Sequence, residues 1–316
     1  MSWTTSDIPD LSRVVAVVTG ANGGLGLETA RALAGAGAHI VMAARDQDKA
    51  RSAHDDILAC HSDASLEIIE LDLGSLDSVR TVAAEILGRH DEIDLLVNNA
   101  GLMAMPERRT ADGFEMQFGV NHLGHWVLTH RLLPALLAAY APRIVTVTST
   151  AHHFGRAVDP DNPNLEGNYS PWMAYGQSKL ANYHFALGLH REFEKRRLPA
   201  KSLVAHPGMS HTNLQVHTRQ QGGGGATARF FERFAATTGM EPARGALPQL
   251  RAATDPQAQS GEMYAPRFIN SGPPVRRPIL RQIGLDAAIR TLWQVSEEMT
   301  GEALDIDAAI IQSRAR

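Results

Sequence analysis

The sequence predicts an α/β fold built on a doubly wound parallel sheet, and three observations carry that prediction. Apolar runs suited to buried strands alternate with amphipathic stretches from Val14 to about His206, the rhythm of successive βαβ units. A glycine-rich turn, Gly20-Ala-Asn-Gly-Gly-Leu-Gly26, joins the first run to the first helical stretch. Polar and glycine motifs then fall at the ends of the later runs or on the helices beside them, where open parallel sheets hold their ligands.

Taken in order, Arg13 to Thr19 is a continuous apolar run that suits a strand buried on both faces. Further strands are expected near 39–43, 66–71, 94–98, 143–148 and 201–206, with Asp72 closing the third and Ser149 following the fifth. The longest helices are expected near 113–139 and 174–197. Ser75-Leu-Asp-Ser78 has the form of a helix start, and Gly35-Ala-Gly37 that of a helix stop. Beyond residue 240 the pattern predicts a helix near 242–254, an edge strand at Gly261-Glu-Met-Tyr264, a proline-rich connection and a final helix near 286–299.

Two stretches break the rhythm. Residues 151–173 form a polar loop rich in Pro, Asn and Asp. Residues 215–240 carry Gln220-Gln-Gly-Gly-Gly-Gly225 and then Phe230, Phe231 and Phe234, which suggests a hinge followed by a lid over about 209–240.

Hydrophobic residues make up 44 % of the 316-residue chain and charged residues 20 %, an ordinary globular balance. With 30 basic and 34 acidic side chains the net charge is −4, which leaves no electrostatic footprint for nucleic acid or an anionic membrane. The single Cys60 excludes an intrachain disulfide and is expected as an inert residue on a helix. Met1-Ser-Trp-Thr-Thr-Ser-Asp lacks the basic start and apolar core of a signal peptide. The apolar stretch from Trp126 to Val147 is broken by His130, Arg131, Pro134 and Pro142. The expectation is a cytoplasmic protein. His152 and His153 are adjacent, but no further ligands stand near them in the sequence, so no metal is expected.

The residues that carry chemistry fall into three groups. Gly20, Gly24 and Gly26, with Asn22 and Leu25 between them, make a turn in which backbone and helix N-terminus can approach a diphosphate. Tyr175 and Lys179 are four apart and share a helix face, so the ammonium is expected to lower the phenol pKa and ready it for proton transfer. The second strand ends Ala44-Arg45, where NAD enzymes place an acid; a guanidinium there suits a 2′-phosphate, which favours NADP(H) and leaves NAD(H) open.

Together these motifs resemble a short-chain dehydrogenase/reductase. The matching residues are Thr19-Gly20 with Gly24 and Gly26, Asn98-Asn-Ala-Gly101, Asn121, Ser149, Tyr175 with Lys179, and Pro207-Gly208. They run in order from about residue 11 to 215, and more loosely to 300. Asn121-His-Leu-Gly-His125, Ser149-Thr-Ala-His-His153, Tyr175 to Asn182 and His206-Pro-Gly with Thr212-Asn-Leu214 resemble the retinol-dehydrogenase-like and protochlorophyllide-reductase-like branch.

The resemblance implies a single Rossmann-type domain over 1–316, with a cofactor half at about 11–150 and a catalytic and substrate-binding part at about 151–316. It implies that Ser149 holds the substrate oxygen, Tyr175 transfers the proton, Lys179 assists and holds the ribose, and Asn121 anchors a water behind Lys179. Asp72 and Leu73 are then expected at the adenine, Asn98, Ala100 and Gly101 at the ribose, and Pro207, Gly208 and Thr212 at the nicotinamide. The activity implied is hydride transfer between nicotinamide and an alcohol/carbonyl pair. Reduction of a carbon–carbon double bond and a non-catalytic NADP-binding redox regulator are the alternatives. Phe154, Trp172, Phe230 and Phe231 suggest a bulky apolar small-molecule substrate. The resemblance leaves the assembly open between a homodimer, a homotetramer and a monomer.

Overall fold

The structure, a computed structural model, describes residues 2–209, 240–280 and 283–316. One eight-stranded sheet has the order β3-β2-β1-β4-β5-β6-β7-β8. Its parallel strands are β1 (Val15–Thr19), β2 (His39–Ala44), β3 (Leu66–Glu70), β4 (Leu95–Asn98), β5 (Arg143–Val147), β6 (Lys201–Ala205) and β7 (Met263–Pro266). β8 (Pro274–Arg277) pairs antiparallel with β7. The order reverses between β1 and β4, which opens a crevice at their carboxyl ends.

Alternation along each strand supplies both faces of the sheet. Ala16, Val18, Leu95 and Val97 pack with Leu33, Ile57 and Leu250 from α1 (Gly24–Gly35), α2 (Gln47–Cys60) and α7 (Pro242–Thr254). Val17 and Leu96 face the other way, toward Val82, Trp126 and Phe185 from α3 (Leu76–Arg89), α5 (Gly124–Ala138) and α6 (Pro171–Lys195). α8 (Leu285–Thr300) and α9 (Ile306–Ser313) complete that second layer.

Helix ends follow their capping residues. Asp46 accepts from Lys49 N at the start of α2, and Ser75 accepts from Ser78 N at the start of α3. Pro171 opens α6 at a position where no backbone donor is needed. α1 differs: Gly23 gives it no side-chain cap, so its first N–H groups stay open.

Three expectations change. The strand expected at the edge, 261–264, lies inside the sheet as β7, because the proline-rich connection after it returns as β8 and takes the edge. The helix expected over 113–139 begins only at Met116–Phe118 (α4) and passes through a π turn at Gly119–Leu123 before α5. α9 was not expected; Asp305 caps it through Ala308 N.

The polar loop at 151–173 is tied down along its length. Asn164 Oδ1 accepts from Glu115 N at 2.7 Å, Gln177 Nε2 donates to Pro163 O at 2.9 Å, and the Tyr169 hydroxyl donates to Met105 O at 2.7 Å. The expected hinge and lid fall on 210–239, outside the described residues. At the two ends of that segment, Met240 N donates to Met209 O at 2.8 Å. Among the described residues no helix is long and apolar enough to cross a membrane.

Candidate active site

A cavity of about 860 Å³ lies at the carboxyl ends of the strands, over the β1/β4 crevice. Its first wall is the turn between β1 and α1. Gly20 and Gly24 take φ of +68° and +53°, backbone that favours glycine. A side chain on Gly26 would overlap the Gly20 carbonyl oxygen, so the turn closes only with hydrogen there. Asn22 and Leu25 also face the cavity, beside the uncapped end of α1.

The second wall is the end of β2. Ala44 is buried in the strand, and Arg45 follows it onto the cavity rim with its side chain 62 % exposed. Lys49, one turn into α2, lines the same corner and pairs with Asp46 at 2.8 Å. Sequence reasoning missed Lys49; its position in Arg45-Asp-Gln-Asp-Lys49 places it on the first turn after a capping aspartate. Asp72 and Leu73 line the neighbouring strip. Asp72 does not cap α3, since Ser75 does; its Oδ1 accepts from Gly74 N at 2.8 Å.

At the end of β4 the paired asparagines separate. Asn98 points into the protein, where its Nδ2 donates to Thr129 Oγ1 at 3.1 Å, and it does not reach the cavity. Asn99 lines the cavity instead, donating through Nδ2 to Thr19 O at 2.8 Å. Ala100 and Gly101, past the strand end, also line it.

The third wall brings Ser149, Tyr175 and Lys179 together. Ser149 follows β5, its side chain turning back to accept from Ala151 N at 3.3 Å. Tyr175 and Lys179 lie one turn apart on α6, both buried. Burial pushes the Tyr175 phenol up to about 12, and a hydrogen bond with the Ser149 side chain works against that rise. Burial lowers Lys179 from 10.5 to about 8.

The expected depression of the phenol by Lys179 is therefore not what this geometry produces. Nζ lies 5.9 Å from the centre of the Tyr175 ring and donates to Val147 O at 3.3 Å, so the desolvation of both groups dominates. Pro207, Gly208 and Met209 close this end. Thr212 lies outside the described residues.

Asn121 stands behind this wall, in the π turn and fully buried. Its Nδ2 donates to Leu102 O and Ser178 Oγ, both at 2.9 Å, and its Oδ1 accepts from Leu102 N at 2.7 Å. His125, given no role from sequence beyond its place in the branch motif, ties this turn to β1. Its Nδ1 is 3.0 Å from Asn121 O and its Nε2 2.9 Å from Thr19 Oγ1. Burial lowers its pKa to about 4, so the ring is neutral at ordinary pH. Met103, Met105, Phe154 and Trp172 give the remaining lining an apolar, aromatic character.

The family model for short chain dehydrogenases matches residues 14–223. Among curated relatives, short-chain dehydrogenase/reductase prx1 of Penicillium roqueforti is 41 % identical over 214 residues, which cover 66 % of this chain and 61 % of that protein. The chain thus matches about three fifths of the length of that relative. Retinol dehydrogenase 14 of Mus musculus is 35 % identical over 298 residues, covering 90 % of this chain and 85 % of that one.

Among solved structures, an uncharacterized protein from Mycobacterium paratuberculosis superposes with a TM-score of 0.79 at 38 % identity, covering 96 % of this chain and 100 % of that one. An NAD(P)-dependent gluconate 5-dehydrogenase structure from Beutenbergia cavernae, with NADP bound at low occupancy, gives a TM-score of 0.60 at 27 % identity. It covers 78 % of this chain and 91 % of that one. With the glycine turn, the serine, and the tyrosine and lysine of α6 on one cavity, and with these relatives, the chain belongs to the short-chain dehydrogenase/reductase family, in its retinol-dehydrogenase-like branch.

Proposed function

We propose that the protein is an NADP(H)-dependent oxidoreductase that interconverts an alcohol and a carbonyl on a bulky, apolar small molecule. The observation that carries this reading is the convergence of Ser149, Tyr175 and Lys179 with the glycine turn of α1 on one cavity. The residues present fit a dinucleotide. The absence of a side chain on Gly26 lets the turn close against Gly20, and the uncapped N–H groups of α1 suit a diphosphate. Arg45 and Lys49 together suit a 2′-phosphate beyond the ribose. Asp72 and Leu73 would hold the adenine, Ala100 and Gly101 the ribose, and Pro207 and Gly208 the nicotinamide end. Names of similar proteins point the same way: retinol dehydrogenases among the relatives, and NADP in the gluconate 5-dehydrogenase structure.

The bound nicotinamide would supply or accept the hydride, which is the cofactor's own chemistry. In the reducing direction Ser149 holds the substrate oxygen and Tyr175 gives its phenol proton to the alkoxide that develops there. Burial keeps that proton on Tyr175 until the substrate oxygen needs it. Lys179 sits beside the tyrosine on α6, and Asn121 braces the backbone behind it through Leu102 and Ser178. Met103, Met105, Phe154 and Trp172 line the reacting end and favour an apolar substrate.

The test is turnover of NADPH with a panel of apolar aldehydes and ketones, by wild type and Tyr175→Phe. Loss of a proton donor at this position is worth roughly 100- to 10,000-fold in kcat. The variant should lose that much while binding NADPH as before. Equal turnover by both proteins contradicts the role of Tyr175; with activated alkenes added to the panel, turnover of those alone moves the reading to carbon–carbon reduction.

A further inference from the structure

At the end of the sheet opposite the cavity, three side chains far apart in sequence meet. His39 is the first residue of β2, Glu67 is the second of β3, and His90 is the residue that ends α3. His90 Nε2 lies 2.6 Å from Glu67 Oε1, and His39 Nε2 lies 3.5 Å from the same oxygen. All three donor atoms fall within 4.8 Å of one another. Ligand atoms about 2.1 Å from a tetrahedral zinc stand roughly 3.4 Å from each other. The three groups thus already span the distances one ion requires, and small rotations bring them to it.

The surroundings prepare the same geometry. Ser65 Oγ lies 2.7 Å from His39 Nδ1; when it accepts the ring proton there, the Nε2 lone pair is left for an ion in place of the contact with Glu67. Arg89 Nη1 holds Glu67 Oε2 at 2.8 Å, which fixes the carboxylate plane and leaves Oε1 for an ion. Arg89 also places a positive charge near the site, which weakens binding. The side chains of His39, Glu67 and His90 are 28 %, 20 % and 15 % exposed, so water can take a fourth position. Two imidazoles and one carboxylate form a donor set suited to zinc and similar late first-row divalent ions, and not to magnesium or calcium.

We infer that His39, Glu67 and His90 form a zinc-class divalent cation site, which clamps the edge strand β3 to β2 and to the end of α3. Its role is structural, since it stands at the amino ends of the strands whose carboxyl ends carry the cavity.

Zinc chloride titrated calorimetrically into the metal-free full chain should show one site per chain. His39→Ala and His90→Ala should each weaken uptake by roughly tenfold to a hundredfold or more, the range seen on disturbing ligand geometry. Circular dichroism shows whether each variant is folded. A crystal of the wild-type protein soaked in zinc, measured at the zinc absorption edge, needs no variant and should place an anomalous peak among the three side chains. An absence of uptake, uptake unchanged in both histidine variants, or a peak only elsewhere, such as at His152 and His153, overturns the inference.

Discussion

A side-chain carbon on Gly101 would stand 3.2 Å from Lys179 Nζ and 3.0 Å from Asn121 Oδ1. Both neighbours are buried and hydrogen-bonded, Lys179 to Val147 O and Asn121 to Leu102 N, so neither can retreat far. Gly101→Ala should therefore displace the ammonium while adding only the modest strain of an overfilled site, about 1–3 kcal/mol. The expected outcome is a folded protein whose kcat/KM falls by about tenfold or more, since small misplacements in a site are costly. Steady-state kinetics beside urea unfolding check this; unchanged kinetics would show that the lysine has room to move.

Complete donor and acceptor bookkeeping fixes the tautomer of His125. Thr19 Oγ1 accepts from Asn99 N at 2.9 Å and Ala100 N at 3.0 Å, which leaves one proton to give. That proton goes to His125 Nε2 at 2.9 Å more favourably than to Val97 O at 3.3 Å, and Nδ1–H then donates to Asn121 O. His125→Phe fills the volume but strands two buried partners, so a loss on the order of 2–3 kcal/mol is expected. Urea unfolding measures it, and a loss below about 0.5 kcal/mol would contradict the network.

The buried Lys179 makes stability depend on pH in a definite sense. Its folded pKa, about 8, lies below its ordinary 10.5, so the folded state resists its charge. The contribution is fully present above the ordinary pKa and is lost as pH falls through the folded one. Cofactor-free wild type should gain stability relative to Lys179→Met between about pH 8 and 10.5, on the order of 3 kcal/mol in total. Chemical unfolding of both proteins between pH 7 and 10 reads most of that change. Parallel curves would mean that the ammonium is solvated in the folded state.

Acid should act through three other buried rings. Burial lowers His122 and His206 to about 3 and His125 to about 4, each from 6.5. Their neutral forms stabilise the fold above the ordinary histidine pKa, and that stabilisation is lost as pH falls toward 4 and below. Unfolding followed by fluorescence is expected to begin between about pH 6 and 4, and a protein fully folded at pH 3 would contradict the burial of these rings.

Most of the strand positions and the glycine turn were legible because apolar runs and helix caps are local signals: Arg13 to Thr19, Ser75 and Gly20 to Gly26 each carry their own reason. Local signals are weaker where the strand end decides orientation. Asn98 and Asn99 are adjacent and chemically identical, yet the strand alternation turns Asn98 toward α5 and lets Asn99 face the cavity. The spacing of Tyr175 and Lys179 indicated a shared face, but not the burial that governs both pKa values. His125 and Thr19, 106 residues apart, and His39 with Glu67 and His90, meet only through the sheet order. β8 was hidden because prolines interrupt its sequence pattern.

Cofactor choice turns on Arg45 at the end of β2. Arg45 Nη1 stands 3.9 Å from Asp72 Oδ1, an exposed pair worth little, so the guanidinium is free to turn to a phosphate. The most direct measurement is fluorescence titration of NADPH and NADH into wild type and Arg45→Ala. Wild type should bind NADPH more tightly than NADH by roughly tenfold or more, the scale of one charge-assisted contact, and Arg45→Ala should lose the difference with NADH affinity unchanged. Equal affinity for the two cofactors in wild type, or a preference that survives the substitution, would contradict it.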